Sequence, residues 1–319
     1  MTDCYLGIEI GGTKLQAVIG DGGARILDRR RMVVDLDKGA AGIRAQIERA
    51  VAELTASARP RAAAIGFGGP VDHAAGRIAI SHHVEGWNGF DIAPWLERVT
   101  GIPTQLENDT NTAALAEALR GAGKGVRLVS YVNFGSGMGG GMVVDGRLYH
   151  GDTPGEAEVG LLAFDKEGHN FESLCSGWAV DAKVRRAIAA NPGGALARLA
   201  AGATRGEARF LAPAIEQGDA GARAILDEVC ENIAWALSHV VHLFHPQILI
   251  LGGGLSLIGE PLRSRVAARL PGFLTTSFRP GPPVVLSALG EDVVVVGALL
   301  LAMEKAASPR VKRRDRENS

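Results

Sequence analysis

The segment that says most about the architecture of the chain reads Gln105-Leu-Glu-Asn-Asp-Thr-Asn-Thr-Ala-Ala-Leu-Ala-Glu117. Alanine and leucine are strong helix formers, so we expect a helix over 112–119. Asp109 then lies at a helix N-terminus, where a carboxylate can accept hydrogen bonds from free backbone N–H groups. Helix capping alone is one interpretation. Because glycine-rich turns precede and follow the segment, the other is a carboxylate that assists phosphoryl transfer to a hydroxyl.

The composition is that of an ordinary globular protein. A length of 319 residues favours two domains, and a formal charge of -1 offers no basic field for nucleic acid. No apolar run approaches the roughly 20 residues that span a bilayer. The start, Met1-Thr-Asp-Cys4, lacks a basic leader, so we expect a cytoplasmic protein with no nucleic-acid or membrane partner. The three cysteines are widely spaced and predict neither a disulfide framework nor a zinc site.

The first glycine turn is Gly11-Gly12-Thr13-Lys14, between predicted strands at 5–10 and 15–19. Glycine N–H groups can approach an anion closely, and Thr13 adds a hydroxyl donor, so the turn is a candidate phosphate site. A simple hairpin turn is the alternative. Glu9, just before the turn, is unusual beside a phosphate unless a cation intervenes. We therefore predict that Glu9 faces Mg²⁺ through water.

A similar arrangement recurs about 125 residues later, which predicts a weak internal duplication. A strand at 128–134 runs into Gly135-Ser136-Gly137, further glycines follow, and a strand is expected at 142–144. Two such turns, each with a hydroxyl, favour a clamp for nucleotide phosphates. Another turn, Gly68-Gly69-Pro70, ends the apolar run that starts at Ala62, and such strand ends commonly border a ligand cleft.

Two acidic residues stand in glycine-bounded segments that we interpret as turns. They are Glu158 in Gly155-Glu-Ala-Glu-Val-Gly160 and Glu172 in Phe171-Glu-Ser-Leu-Cys-Ser-Gly177. Simple solvation is the usual explanation for such carboxylates. Carboxylates also accept hydrogen bonds from the adjacent hydroxyls of a sugar. His169 and Cys175 near Glu172 do not complete a metal site, because no second cluster of ligands accompanies them.

Hydrophobic periodicity predicts the remaining elements. Gly252-Gly253-Gly254 follows one of these strands but resembles a dinucleotide fingerprint only superficially, because no later strand carries the expected acidic residue. Helices are expected at 41–56, 92–99, 219–244, 262–270 and 293–304, and strands at 25–34, 248–251 and 284–286.

In order and spacing these motifs resemble the ROK family of bacterial sugar kinases and sugar-responsive repressors, up to about Lys305. The likeness is specific because it rests on many motifs together. They are Gly7-Ile-Glu-Ile-Gly-Gly-Thr-Lys14, 66–72, Glu107-Asn-Asp-Thr-Asn111 with Ala113, Ala114 and Glu117, Gly135-Ser-Gly-Met-Gly-Gly-Gly141, Glu158-Val-Gly160, Glu172 with Ser176-Gly177, Gly252-Gly-Gly254 and Gly297-Ala298.

The resemblance implies an α/β protein with the actin-like ATPase (ribonuclease-H-like) fold, in which two α/β domains flank an interdomain cleft. We expect a small N-terminal lobe from 1–112 plus 292–306 and a large C-terminal lobe from 113–291. A disordered tail is expected at 307–319. The family likeness also implies a homodimer or a higher homo-oligomer.

The resemblance further implies an ATP-dependent kinase for a hexose, with glucose phosphorylated at O6 as the first guess and Mg²⁺ as cofactor. Asp109 would be the general base, and Asn108, Glu158 and Glu172 would hold the sugar hydroxyls. Gly68 would border the substrate. The turns Gly11-Gly12-Thr13-Lys14 and Gly135-Ser136-Gly137 would grip the ATP phosphates, and Gly253 with Gly254 would lie against the adenosine.

Four departures from the family pattern matter. Glu9 stands where Asp is usual, and Gly68-Gly69 replaces Pro-Gly. Leu161 stands where the family has a histidine that ligates zinc and touches the sugar, and the cysteine-rich zinc loop is shortened to Gly168-His-Asn-Phe171. We therefore predict no zinc. Leucine cannot replace the hydrogen bond of an imidazole, so the identity of the sugar is left open.

Two alternatives stand beside the kinase. The first is a sugar-binding regulator, but the repressors of this family carry a helix-turn-helix before the first hairpin, and the hairpin here begins at Tyr5, so we expect no room for one. The other alternative, motivated by Leu161, is a sugar sensor without kinase activity or a kinase for an amino or otherwise modified hexose.

Overall fold

Two five-stranded sheets dominate the computed structural model, which describes residues 3–12, 14–34, 38–81, 84–153 and 157–308. A short two-stranded sheet accompanies them. The strands are β1 (Cys4–Ile10), β2 (Lys14–Asp21), β3 (Ile26–Val33), β4 (Ala63–Phe67), β5 (Val71–Asp72), β6 (Arg77–Ile78), β7 (Thr104–Asn108), β8 (Leu128–Phe134), β9 (Met138–Val144), β10 (Arg147–Leu148), β11 (Ile248–Gly252) and β12 (Val284–Leu286).

The α-helices of the described residues vary from one turn to about seven turns. They are α1 (Gly39–Thr55), α2 (Ile92–Thr100), α3 (Asp109–Arg120), α4 (Phe171–Cys175), α5 (Gly177–Ala190), α6 (Ala195–Leu199), α7 (Leu211–Glu216), α8 (Ala220–Phe244), α9 (Glu260–Phe273) and α10 (Val293–Ala307).

The two large sheets share one topology. The first has the order β3-β2-β1-β4-β7 and the second β10-β9-β8-β11-β12. In each sheet three consecutive strands form an antiparallel meander, and two later strands add in parallel beside the first strand of that meander. This repetition confirms the internal duplication predicted from the two glycine turns.

The chain divides into two compact units. The first comprises Met1–Asn108 and Val295–Ser319, and the second comprises Asp109–Val294. The chain therefore passes from the first unit to the second between the last residue of β7 and the first residue of α3. It returns near the start of α10, a helix whose residues from Val295 onward belong to the first unit.

Helix α10 packs closely on the first sheet, where glycines replace side chains. A β-carbon at Gly7 would lie 3.0 Å from the carbonyl oxygen of Val295 and 3.3 Å from the β-carbon of Ala298. A β-carbon at Gly20 would collide with the side chain of Leu299. The last helix of the described residues thus packs on the unit that the first strands begin.

Amphipathic spacing predicted the two principal core helices correctly. On α1, the predicted apolar face of Ile43, Ile47, Val51 and Leu54 is buried. The predicted stripe of α8 is likewise buried, except that its first member is only half-buried. That stripe consists of Ile225, Val229, Ile233, Leu237 and Val241.

Three local expectations differ from the structure. The expected helix is present but begins at Asp109 and not at residue 112, which confirms that Asp109 lies at a helix N-terminus, and the strand expected from 142 begins at Met138. Glu172 lies on the short helix α4 and not on a turn, because the Asn170 side chain caps this helix by accepting a hydrogen bond from the Ser173 N–H at 3.0 Å.

The expectations about the C-terminal tail and about membrane spans can be compared only with the described residues. Helix α10 ends at Ala307, and most of the tail expected at 307–319 lies outside the described residues. No helix in the described ranges is both long and apolar enough to cross a membrane.

Candidate active site

In the first unit, three neighbouring parallel strands end at the same level. Ile10 of β1 pairs with Phe67 of β4, and Phe67 pairs with Asn108 of β7. The turns that begin at Gly11 and Gly68 therefore start beside Asn108, at the carboxyl edge of the sheet. Such edges commonly hold ligands in α/β proteins.

Hydrogen bonds tie these strand ends together. The N–H of Gly68 donates to the carbonyl of Ile10 at 2.9 Å, and the side-chain amide of Asn108 donates to the carbonyl of Gly69 at 3.1 Å. Asn108, predicted to bind sugar, is thereby held in a fixed orientation against the Gly68-Gly69 turn. Gly69 is a contributor that the sequence motifs did not identify as a partner of Asn108.

The Gly11-Gly12-Thr13-Lys14 hairpin closes through the Gly11 N–H, which donates to the Lys14 carbonyl at 2.8 Å. Thr13 lies outside the described residues. The Lys14 Nζ forms an ion pair with Glu9 Oε1 at 3.0 Å, and Gln16 Nε2 donates to Glu9 Oε2 at 2.5 Å. Burial raises the pKa of Glu9, while the charge of Lys14 and the Gln16 hydrogen bond act in the opposite direction.

These contacts bear on the predicted Mg²⁺ role of Glu9. Both oxygens of the carboxylate already have protein partners, and Lys14 supplies a positive charge. In this arrangement Glu9 does not fit as a direct ligand of a hard cation, and contact through water stays a prediction. Among the described residues, no group of three or more histidine, cysteine or acidic side chains could hold a metal ion.

In the second unit, Gly135-Ser136-Gly137 forms the equivalent hairpin between β8 and β9. The Gly135 N–H donates to the Gly137 carbonyl at 2.9 Å. Beside it, Gly252 at the end of β11 pairs with Asn133 of β8, so the turn at Gly253 lies next to the hairpin. Gly253 has φ +79°, and a β-carbon there would collide with the Asn133 side chain. This position requires glycine, and the hairpin and the Gly253-Gly254 turn share one edge of the sheet.

Asp109 is the half-buried first residue of α3, which follows β7 directly. The hydroxyl of Thr110 donates to Asp109 Oδ1 at 3.2 Å. The positive end of the helix dipole favours negative charge at this position. Thr110 was not singled out from the sequence, although it follows Asp109 directly in the motif.

Helix α3 packs on one face of β9, which the glycine run makes possible. A β-carbon at Gly139 would lie 2.7 Å from Thr110 Oγ1, and one at Gly141 would lie 2.8 Å from the Ala114 β-carbon. Side chains alternate between the faces of a strand, so these two glycines face α3 together. They place the helix that begins with Asp109 directly against the strand that leaves the Gly135-Ser136-Gly137 hairpin.

The opposite face of β9 receives the segment that carries Glu158. A β-carbon at Gly140 would collide with the carbonyl of Ala157, and one at Gly160 would collide with the carbonyl of Met138. Glu158, exposed and at the start of a single 3₁₀ turn, lies between these two close approaches. The glycine run thus serves packing on both faces of β9.

Glu172 reaches the start of β9 from α4. Its Oε2 accepts a hydrogen bond from the Met138 N–H at 2.9 Å. The sequence did not identify Met138 as a partner of Glu172, because any residue other than proline can donate a backbone hydrogen bond. In the second unit, β9 therefore contacts the segments that carry Asp109 and Glu158, and Glu172 reaches the hairpin itself.

Glu117, the last residue of the quoted motif, has a structural function. It is fully buried, and its carboxylate accepts hydrogen bonds from the N–H of Ala122 at 2.7 Å, the hydroxyl of Ser287 at 2.6 Å and the N–H of Leu289 at 2.9 Å. Three donors thus satisfy this buried carboxyl group. The donors of Ser287 and Leu289 fix the C-terminal half of α3 to the segment that follows β12.

Two of the three cysteines, Cys175 and Cys230, do not add chemistry to the site. Cys175 and Cys230 are buried as free thiols, and burial raises the pKa of each to about 12. A thiol in that state is neither a nucleophile nor a metal ligand at neutral pH. Both belong to the apolar core of the second unit.

Known proteins resemble this chain over most of its length. A model of the ROK family matches residues 5–305. The chain is 27% identical to a glucokinase from Thermotoga maritima over 94% of its length and 97% of the relative's. It is 29% identical to an N-acetylmannosamine kinase from Citrobacter koseri over 79% and 83% of the two lengths. A crystal structure of a ROK family glucokinase from Streptomyces griseus, in complex with glucose and AMPPNP, superposes with a TM-score of 0.85 at 28% identity, covering 94% of this chain and 99% of that one.

Proposed function

This chain belongs to the ROK family, and from that premise we propose that it is an ATP-dependent kinase that phosphorylates a hexose, with glucose at O6 as the first candidate. Its fold is the actin-like ATPase fold with two α/β domains, which it shares with solved ROK sugar kinases. The observation that carries the proposal is Asp109, a half-buried carboxylate at the N-terminus of a helix packed on the strand that leaves a glycine hairpin.

In the proposed reaction, a primary hydroxyl of the sugar attacks the γ-phosphorus of ATP. A bond forms between the sugar oxygen and phosphorus, the bond from phosphorus to the ADP oxygen breaks, and the hydroxyl proton passes to a carboxylate oxygen of Asp109. The Thr110 hydroxyl, bonded to Oδ1, fixes the orientation of that carboxylate. The reaction is balanced with sugar phosphate and ADP as products.

Nucleotide binding is assigned to the glycine turns. Gly11, Gly12, Thr13 and Lys14 in one unit and Gly135, Ser136 and Gly137 in the other are assigned to the phosphate oxygens. The Gly11 and Gly135 N–H groups close their hairpins, so the donors to phosphate are assigned to the other members of each turn. Gly253 and Gly254, next to the second hairpin, are assigned to the adenosine. Bound Mg²⁺ would neutralise phosphate charge, as it does in other kinases, and no residue of this chain is assigned to it as a direct ligand.

Sugar binding is assigned to Asn108, Glu158 and Glu172, with Gly68 at its border. The amide of Asn108 is anchored on the Gly68-Gly69 turn, and Glu172 is anchored on Met138. Carboxylates and amides that are already oriented bind adjacent hydroxyls with little further loss of side-chain entropy.

A kinase for an amino or otherwise modified hexose is the second candidate. Leu161 ends the 3₁₀ turn that begins after Glu158, and its side chain is 57% exposed. An apolar side chain at that point contacts a substituent such as an acetyl methyl group better than a hydroxyl. The similarity to an N-acetylmannosamine kinase is consistent with this candidate.

A substrate panel tests the proposal. Purified protein is incubated with ATP, Mg²⁺ and glucose, mannose, glucosamine, N-acetylglucosamine or N-acetylmannosamine, and ADP release is followed by a coupled assay. We expect ADP release that depends on sugar, with glucose giving the highest kcat/KM. The highest kcat/KM with an N-acetylated sugar would favour the second candidate. Sugar binding without ADP release for any member would indicate a sensor and contradict the kinase proposal.

A further inference from the structure

The carboxylate of Glu172 is joined to the hairpin between β8 and β9. Its Oε2 accepts the Met138 N–H at 2.9 Å, and a β-carbon at Gly137 would lie 2.5 Å from the same oxygen. The close approach therefore requires glycine at position 137. A charge-assisted hydrogen bond of this kind is roughly twice as strong as one between neutral groups.

A second, independent connection joins the same hairpin to the corner between α4 and α5. The Gly177 N–H donates to the Gly135 carbonyl at 2.8 Å, and a β-carbon at Gly177 would lie 2.7 Å from that carbonyl oxygen. The Ser176 hydroxyl caps α5 by accepting the Ala179 N–H at 3.2 Å. Glu172, the α4–α5 corner and the hairpin thus form one hydrogen-bonded assembly within the second unit.

The other oxygen of Glu172 has spare accepting capacity. Within the described residues, Oε1 has no hydrogen-bond donor, and the side chain is half-buried. An ionised carboxylate offers about four lone-pair sites on its two oxygens. One oxygen can hold the hairpin while the other accepts a hydroxyl.

We propose that Glu172 is a positioning residue that couples sugar binding to nucleotide binding, with Oε1 accepting a sugar hydroxyl while Oε2 holds the hairpin that grips the ATP phosphates. The inference rests on the proposed function, since it takes the sugar and the nucleotide as the two ligands. A sugar that orders the Glu172 carboxylate also orders the Met138 N–H and the Gly135-Ser136-Gly137 turn. Coupling between two binding sites is reciprocal, so the nucleotide strengthens sugar binding by the same factor.

Two substitutions test the coupling from opposite sides. Gly137→Ala lies in the nucleotide hairpin and displaces the Glu172 carboxylate without changing charge. Glu172→Ala lies in the sugar site and releases the Met138 N–H. Calorimetry measures binding of the best hexose from the panel without nucleotide, and of AMPPNP without sugar. We expect Gly137→Ala to weaken sugar binding, and Glu172→Ala to weaken AMPPNP binding, each by at least about 5-fold.

Matched controls carry the same changes elsewhere in the second unit. Gly193→Ala introduces a β-carbon that meets no described atom within 4 Å, and Glu216→Ala removes an exposed carboxylate at the end of α7. Both should bind the two ligands as the original protein does. Circular dichroism and the melting temperature confirm that each variant is folded.

The outcomes separate two kinds of failure. Sugar binding unchanged in Gly137→Ala, together with AMPPNP binding unchanged in Glu172→Ala, would overturn the coupling and leave the kinase proposal standing. If the original protein binds neither a hexose nor AMPPNP, the proposed function fails and the coupling fails with it. In the original protein, AMPPNP should tighten sugar binding by about 5-fold or more.

Discussion

At the level of single residues, Glu9 is a buried carboxylate in the first hairpin. It is 7% exposed and interacts with Lys14 at one oxygen and Gln16 at the other. Burial raises its pKa above the ordinary value of 4.5 despite those partners. The ionised form of Glu9 therefore reduces the stability of the fold at neutral pH.

We expect Glu9→Gln to raise the free energy of unfolding at pH 7. Stability associated with a raised carboxyl pKa is fully present below the unfolded value of 4.5 and is lost as pH rises through the folded value. Gln cannot ionise, so the variant does not lose stability in this way. Its free energy of unfolding should therefore exceed that of the original protein at pH 7, and the difference should vanish near pH 4. Urea denaturation at both pH values measures the difference.

Glu216→Gln makes the same chemical change at an exposed position and should alter the unfolding free energy by less than about 0.5 kcal/mol. A lower urea midpoint for Glu9→Gln at pH 7 would contradict the account. It would mean that the contacts with Lys14 and Gln16 outweigh the penalty of burying the charge.

Residue type alone predicts part of this site and misses the rest for identifiable reasons. Gln16 stands as a polar side chain within the apolar strand β2, a break in pattern that could have identified it as a partner of a buried group. In sequence, glycines 139–141 resemble an extension of the phosphate-binding turn. In the structure, they allow α3 and the 157–159 segment to pack against β9. Residue type alone does not distinguish close packing from a turn with an unusual backbone conformation, since both require glycine.

At the level of elements, the start of α8 is fixed by one side chain with two hydrogen bonds. Asp219 is the N-cap, and its Oδ1 accepts the Ala222 N–H at 2.9 Å while its Oδ2 accepts the Leu196 N–H at 3.0 Å. Asp219 thereby ties α8, the longest helix of the described residues, to the short helix α6. These backbone donors lower the pKa of Asp219 below its usual 3.8.

We expect Asp219→Ala to cost about 1–2 kcal/mol of stability at pH 7, because a cap and a second hydrogen bond are lost. A lowered carboxyl pKa gives stability that is present above the unfolded value of 3.8 and lost as pH falls through the folded value. The difference between the variant and the original protein should therefore shrink below pH 3.8. Chemical denaturation across pH 2.5–7 measures it.

Asp219→Asn is the matched variant, since asparagine retains an oxygen for the cap but no charge. It should lose less stability than Asp219→Ala at pH 7 and show no titration below pH 4. Equal losses for alanine and asparagine would show that capping does not account for the contribution of Asp219.

Element prediction succeeded where a long apolar stripe exists and failed where it does not. Helices α1 and α8 each carry a continuous buried face, and their predicted limits were close to those observed. The sequence pattern predicts no helix at 177–190, where α5 runs for 14 residues. Helix α5 has few buried positions, at Val180, Asp181 and Val184, so hydrophobic periodicity gave little indication of a helix there.

At the level of the whole molecule, the duplicated sheet explains why glycine hairpins occur twice. Each copy places a hairpin between the first two strands of a meander, next to the ends of parallel strands that enter the sheet later. The hairpins could be predicted because strand, glycine turn and strand are adjacent in sequence. The neighbours β4 and β11 could not, since their pairing with β1 and β8 bridges long stretches of chain.

Residues of both units are assigned to ATP and to the sugar. One carboxylate is assigned the chemical step, and it occupies the first residue of the second unit. Loss of this one carboxylate should therefore stop turnover, while the protein still binds the sugar.

The most direct measurement compares steady-state turnover and hexose affinity in Asp109→Asn and the original protein, with the exposed Asp152→Asn as control. We predict that turnover falls by at least ~100-fold in Asp109→Asn, because asparagine cannot accept the hydroxyl proton, while the dissociation constant of the sugar changes little. Asp152→Asn should keep both values. Unchanged turnover in Asp109→Asn would contradict the account.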